Sequence, residues 1–256
     1  MALPLEPRQL VGLVREARRP TPSARPVHVS GVLARELRSA LVREGGGAVV
    51  REGTGDGASV LVRVLGGAPG DEDVRVLRQA TRRLVPAVAV QTAPWSGDVP
   101  YVPATEVVPV PPGQGFPVEE IAAAIARVVD EEEGAALASV LPALAEAVRR
   151  EQVRRATLQA AFSAGTSGAV QLPVLANRQT RLLGSLRRTA GVRADDASPQ
   201  ELARTIGPEL ALPLVAGLAA RGLVRRLPRR GRLVRATVAA GVTLALGELA
   251  SRRPRA

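Results

Sequence analysis

The sequence predicts a parallel α/β unit followed by a helical region, and three observations carry that prediction. Between residues 26 and 132, short apolar runs alternate with amphipathic stretches, the pattern of repeated βα units. The runs at 58–67 and 86–92 are almost continuously apolar, as strands buried on both faces of a parallel sheet are. Past the acidic run at 130–133 the alternation stops, and long stretches of Ala, Leu and Arg at helical spacing take over.

Taken in order, residues 1–25 hold a short helical stretch at 7–18 and a Pro- and Ser-containing linker, TPSARP. PVHVS at 26–30 reads as the first strand. The segment 32–47 places Leu33, Leu37, Ala40 and Leu41 on one helical face and ends in Gly45, Gly46 and Gly47, which read as a helix stop. Strands follow at 48–52 and 58–67. The helix at 70–84 opens with Asp71, Glu72 and Asp73, where carboxylates meet the positive end of the helix dipole. A buried strand is expected at 86–92 and a short one at 105–110, where Pro109 marks an edge or a strand end. Pro117, Glu119 and Glu120 open a helix over 117–132. Beyond it, 135–166 reads as a helix bent at Pro142, and 170–192 as a second, with Pro173 in its first turn. Ser198, Pro199 and Glu201 form a capping start for a third. The expected organisation is an N-terminal helix and linker at 1–25, an α/β unit at 26–130, and a basic helical domain with an apolar hairpin at 135–256.

Composition narrows the chemistry. All 35 basic residues are arginine and there is no cysteine, so no lysine phosphate contact, thiolate nucleophile or disulfide can be built. His28 is the single histidine and reads as a half-buried strand residue, and one imidazole cannot build a His-Asp triad, a zinc site or an H-x-x-x-H helix without help from carboxylates. No catalytic residue, cofactor site or metal site is assigned. Aromatic content is 2%, too little for the stacking platforms of single-strand nucleic-acid binders. The net charge of +11 is uneven: residues 1–134 carry −2 and 135–256 carry +13. The second half is therefore expected to face something anionic. The first residues lack a long apolar signal segment, and the chain reads as cytoplasmic, with peripheral or integral contact at the inner membrane.

Residues 56–129 resemble the second half of a small GTPase of the Era and dynamin-like kind. GDGASVLVRVLGGAPGDEDVRVLRQ is similar to the strand after the second switch and its helix. PAVAVQT stands where the strand leads into the guanine-reading N-K-x-D, and VPATEVVPVPPGQGFPVEEIAAAIARVV resembles the last strand, its loop and the closing helix. The resemblance implies a P-loop-GTPase-like sheet with its site erased. In place of G-x-x-x-x-G-K-[ST] the chain reads SGVLARELRSAL, with Gly31 alone and with Arg35 and Arg38 as the cations. Arginine is a planar fork and a poor substitute for the compact ammonium of lysine. Gln91, Thr92, Ala93 and Pro94 occupy the base-reading position, and Asp56 with Gly57 stands at the second switch without D-x-x-G.

The second half resembles the helical domain of bacterial YcjF-type membrane-associated proteins. Basic helices run through SAGTSGAVQLPVLANRQTRLLGSL, an acidic spacer follows, and a hydrophobic hairpin ends in AAGVTLALGELA. Its apolar blocks, 209–224 and 233–250, fall short of the roughly 20 residues of a spanning helix. Between them stand Arg225, Arg226, Arg229, Arg230, Arg232 and Arg235, the residues expected to contact a membrane or partner. The function expected is that of a non-catalytic, pseudo-GTPase-like docking protein. The alternative is a GTPase-like nucleotide-binding switch at the membrane with an atypical phosphate loop. The partners expected are an anionic membrane surface or a protein, an intact GTPase or a second copy included; nucleic acid is disfavoured.

Overall fold

The computed structural model describes residues 23–54 and 57–166, with 160–166 by their backbone alone. The helix expected at 7–18, Asp56, the basic helices past 166, both apolar blocks and the arginines of 225–235 lie outside the described residues. Five parallel strands, β1 (Val27–Gly31), β2 (Val50–Glu52), β3 (Val60–Leu65), β4 (Ala87–Gln91) and β5 (Val107–Pro109), form one sheet in the order β2-β1-β3-β4-β5. The helices are α1 (Ala34–Leu41), α2 (Asp71–Arg82), α3 (Val118–Val128), α4 (Glu131–Val140) and α5 (Pro142–Thr166), and a 3-10 turn at Ala104–Glu106 leads into β5. The order is that of a doubly wound sheet, whose switch point lies between β1 and β3.

Alternation along the strands sorts side chains into two cores. Val27 and Val29 of β1, Val60, Val62 and Val64 of β3, and Val88 and Val90 of β4 face one layer. There they pack with Leu37 and Leu41 of α1, Ile121 and Ile125 of α3, Leu137 of α4, and Leu144 and Val148 of α5. Leu61, Leu65, Ala87 and Ala89 face the other layer and pack under Val76, Leu77 and Ala80 of α2, with Val99 and Val102.

The second layer also holds polar groups. His28 and Ser30 of β1 and Arg63 of β3 are all buried, and Ser30 lies opposite Arg63 in register. Arg63 is 8% exposed and meets Asp73 of α2 through Nε at 2.8 Å and Nη2 at 2.7 Å. Asp73 also accepts from the Gly70 amide at 2.9 Å, so one carboxylate caps α2 and neutralises a strand arginine. Among the described residues of the β2–β3 connection, 53–54 and 57–59, there is no helix. The ends of the connection are tied to β1 by Gly53 N–H to Val29 O and Ser59 N–H to Pro26 O, both 2.9 Å.

Three expected elements differ in extent. The helix expected over 32–47 stops at Leu41, because Arg38 Nε turns back to Val50 O at 3.0 Å and the glycines fold beneath it. Gly46 is pressed on the α4–α5 junction: a Cβ there would stand 2.6 Å from Val140 O. The helix expected over 117–132 ends at Val128, and Asp130 caps α4 by accepting from Glu133 N–H at 2.8 Å. The 135–166 stretch is broken, not bent, at Leu141–Pro142. The acidic run therefore does not end the α/β unit. Glu133 accepts from the Arg25 amide at 2.8 Å and from its guanidinium at 2.9 Å, α4 joins the core, and the compact unit spans Thr21–Glu151.

Two measurements follow from the polar layer. Breaking a buried ion pair costs most where the charge left behind is buried: loss of Asp73 strands Arg63 with its side chain 10% exposed, whereas loss of Arg63 leaves Asp73 20% exposed and still bonded to the Gly70 amide. Asp73→Ala is expected to lose about 3 kcal/mol in denaturant unfolding of the full chain, and Arg63→Met less than about 1 kcal/mol. An equal loss in both would exclude this asymmetry. His28 has its pKa lowered by burial first and by the Arg51 guanidinium second, against a hydrogen bond with the Gly53 backbone that raises it. The unfolded imidazole then takes up its proton first. Its contribution to stability is intact above a pH of about 6.5 and is lost as the pH falls below that value. His28→Gln should flatten that part of the stability–pH curve.

Candidate functional site

In open α/β sheets ligands bind beyond the carboxyl ends of the strands, at the switch point. Here that place lies between the turn after β1 and the loop after β3. A phosphate loop needs several free backbone N–H groups opening onto a helix N-terminus. Only Val32 and Leu33 separate β1 from α1. The Val32 amide donates to Val64 O at 3.1 Å, so it is used inside the sheet. Gly31 has φ +100°, and a Cβ on it would lie 2.1 Å from the same Val64 O. Its glycine character thus serves close packing of β1 on β3, not the approach of a ligand.

Val32 and Leu33 are 47% and 50% exposed at this crevice. Leu33 occupies the N-cap of α1 in the left-handed region, with φ 53°, and offers no side-chain cap. A phosphate arriving there would meet two aliphatic side chains. Arg35 is exposed in the first turn of α1 and is the adjacent cation. Arg38 is not available: its guanidinium is held by Val50 O and by Gly47 O at 3.4 Å, at the entrance of β2. Gly57 is described with φ +75° and open space around it.

The segment after β4, residues 91–94, is also taken up by structure. Thr92 donates from both its amide and its hydroxyl to Leu65 O, each at 2.9 Å, locking the loop after β4 to the end of β3. Next to it lies a shallow cleft of about 610 Å³, lined by Gln91, Pro94, Trp95 and Ser96 on one side and Pro109, Pro111 and Pro112 on the other. Trp95 is stacked on Gly97, where a Cβ would stand 2.3 Å from the indole. The walls are rigid and mainly apolar, and proline supplies carbonyls but no N–H.

One property unites this pole of the molecule. The segments 31–33, 66–70, 92–97 and 110–116 contain no charged residue, although Arg35 and Asp98 follow the first and third of them and Asp56 lies in the β2–β3 connection. The sequence reading picked out Gly31 and the 91–94 segment but missed the cleft and these uncharged segments. The available signals were the prolines at 94, 109, 111 and 112, and the placement of Trp95, Tyr101 and Phe116 in one short stretch. Among the described residues no group of three His, Asp or Glu side chains is placed to hold a metal ion, and no helix is long and apolar enough to cross a membrane. Comparison with protein-family models, with curated proteins and with solved structures gives no match.

The close contact under Gly31 generates a paired test. Gly31→Ala adds a Cβ against backbone at positive φ and is expected to lose at least about 3 kcal/mol. Leu33→Gly relieves a left-handed leucine and should gain about 1 kcal/mol. Unfolding by guanidinium chloride reads both, and a tolerated Gly31→Ala would contradict the packing described.

Proposed function

We propose that the protein is a non-catalytic docking protein: a degenerate GTPase-like α/β unit joined to a basic helical region that contacts an anionic membrane surface or a partner protein. The observation that carries the first part is the closed switch point. With Val32 N–H bonded to Val64 O and Gly31 packed on that carbonyl, the two-residue turn between β1 and α1 has no glycine-rich loop to cradle a phosphate, which supports this reading. The strand order supports the GTPase-like reading, because a strand–turn–helix stands at the centre of the sheet where a phosphate loop belongs. The charge of +13 on residues 135–256 supports the second part, with Arg225, Arg226, Arg229, Arg230, Arg232 and Arg235 as the contact between the two apolar blocks.

A second reading, a nucleotide-binding switch with an atypical phosphate loop, draws on the exposed Arg35 at the start of α1. Titration of the full chain with a fluorescent GTP analogue separates the two. The docking reading expects no saturable binding in the micromolar range and no release of phosphate; binding that Arg35→Gln removes would establish the switch. Flotation with anionic vesicles should be retained at low salt, weaken at high salt, and fall when the six arginines are changed to glutamine. Failure to float with any vesicle would leave a protein as the partner.

A further inference from the structure

Three described residues other than glycine have positive φ: Leu33, Leu84 and Tyr101. All three are exposed large hydrophobic side chains, at 50%, 92% and 47%. The left-handed region is uncommon for such residues, and it is favoured by glycine and asparagine. Leu33 lies at the carboxyl pole. Tyr101 meets α2 through Arg78, and Leu84 follows α2 directly after Arg82 and Arg83 in the chain.

The local geometry explains the backbone at Leu84 but not the leucine. After the Arg83 C-cap, Val85 N–H donates to Ala80 O at 2.9 Å and Leu84 N–H to Thr81 O at 3.0 Å. This is the helix-ending turn whose left-handed position glycine normally fills. A leucine there costs backbone strain, and at 92% exposure its side chain gains almost nothing from the fold. Along α2, Arg75, Arg78 and Arg82 fall at helical spacing on one face, and Arg83 follows. Glu72 pairs with Arg75. Arg78 Nε donates to Tyr101 Oη at 3.0 Å, with the guanidinium 5.8 Å from the ring centre, so the cation and the phenol form one exposed unit. Leu84 stands about 9 Å further along the helix axis.

We propose that the end of α2, with Arg78, Arg82 and Arg83 around the exposed Leu84 and Tyr101, is a contact surface for an anionic phospholipid bilayer. Arginines draw the unit to the headgroups. Leu84 enters the acyl boundary, and Tyr101 sits at headgroup level, where amphipathic rings are favoured. Charge complementarity selects the anionic surface, and the strained exposed leucine selects an apolar layer beneath it over a merely acidic protein. The surface belongs to the α/β unit and does not depend on the contact proposed for residues 225–235.

The test uses the full chain carrying glutamine at the six arginines of 225–235, so that the other proposed contact is silent. Sedimentation with phosphatidylglycerol-containing vesicles should show binding that phosphatidylcholine vesicles lack. L84G should weaken it about tenfold, by loss of the buried side chain. R78Q with R82Q should weaken it about twenty-five-fold, at roughly fivefold per arginine. L84G should also melt at the same or a higher temperature, because glycine relieves the turn. Unchanged partitioning of L84G would overturn the proposal, as would absence of vesicle binding in the parent chain. Binding to soluble polyglutamate without vesicle binding would overturn it in favour of an acidic protein, and a lower melting point for L84G would show that Leu84 serves the fold.

Discussion

A single carbonyl organises the centre of the sheet. Val64 O receives the Val32 amide and lies under Gly31, so the chain leaving β1 turns at once against β3 and starts α1 two residues later. That closure sets the register of the two central strands and the angle at which Leu37 and Leu41 enter the core. It also engages the Val32 amide inside the sheet and places a carbonyl directly under Gly31. Fold and chemistry are opposed here: the tighter the β1–β3 seam, the less room for a ligand at the switch point.

The two layers of the α/β unit answer to different constraints. In the layer under α1, α3, α4 and α5 the buried strand residues and the helix residues that meet them are aliphatic, and volume and shape decide their stability. The layer under α2 carries His28, Ser30 and the Arg63–Asp73 pair beside its aliphatic residues. Buried polar groups are costly unless paired, so α2 is placed by charge as well as by packing. Asp73 carries both duties, which ties the start of α2 to the middle of β3. On the other layer, Glu133 ties Arg25, just ahead of β1, to α4. Glu106 accepts from Arg127 of α3 in the same manner, fixing the turn before β5.

Surface positions show where local stability has been set aside. Leucine stands in left-handed conformation at both Leu33 and Leu84, where glycine would cost less. Leu33 stands at the turn after β1, two residues before the exposed Arg35, and Leu84 directly after Arg82 and Arg83 at the end of α2.

Periodicity alone determined much of the α/β unit. Continuous apolar runs announced β3 and β4, because strands covered on both faces have no polar side to show, and the acidic first turn announced α2. The missing phosphate-loop and base-reading residues were equally plain, since those chemistries need particular side chains at fixed spacing. Tertiary structure decided the rest. No local pattern says that Arg63 inside an apolar strand will find Asp73, that Gly46 will pack on Val140 O at the α4–α5 junction, or that Asp130 caps a core helix instead of closing the unit. Nor does spacing bring 91–96 and 109–112 together as one cleft. Those facts arise from contacts between residues distant in the chain, which exist only after the sheet has aligned its strands, and local propensity carries no record of them.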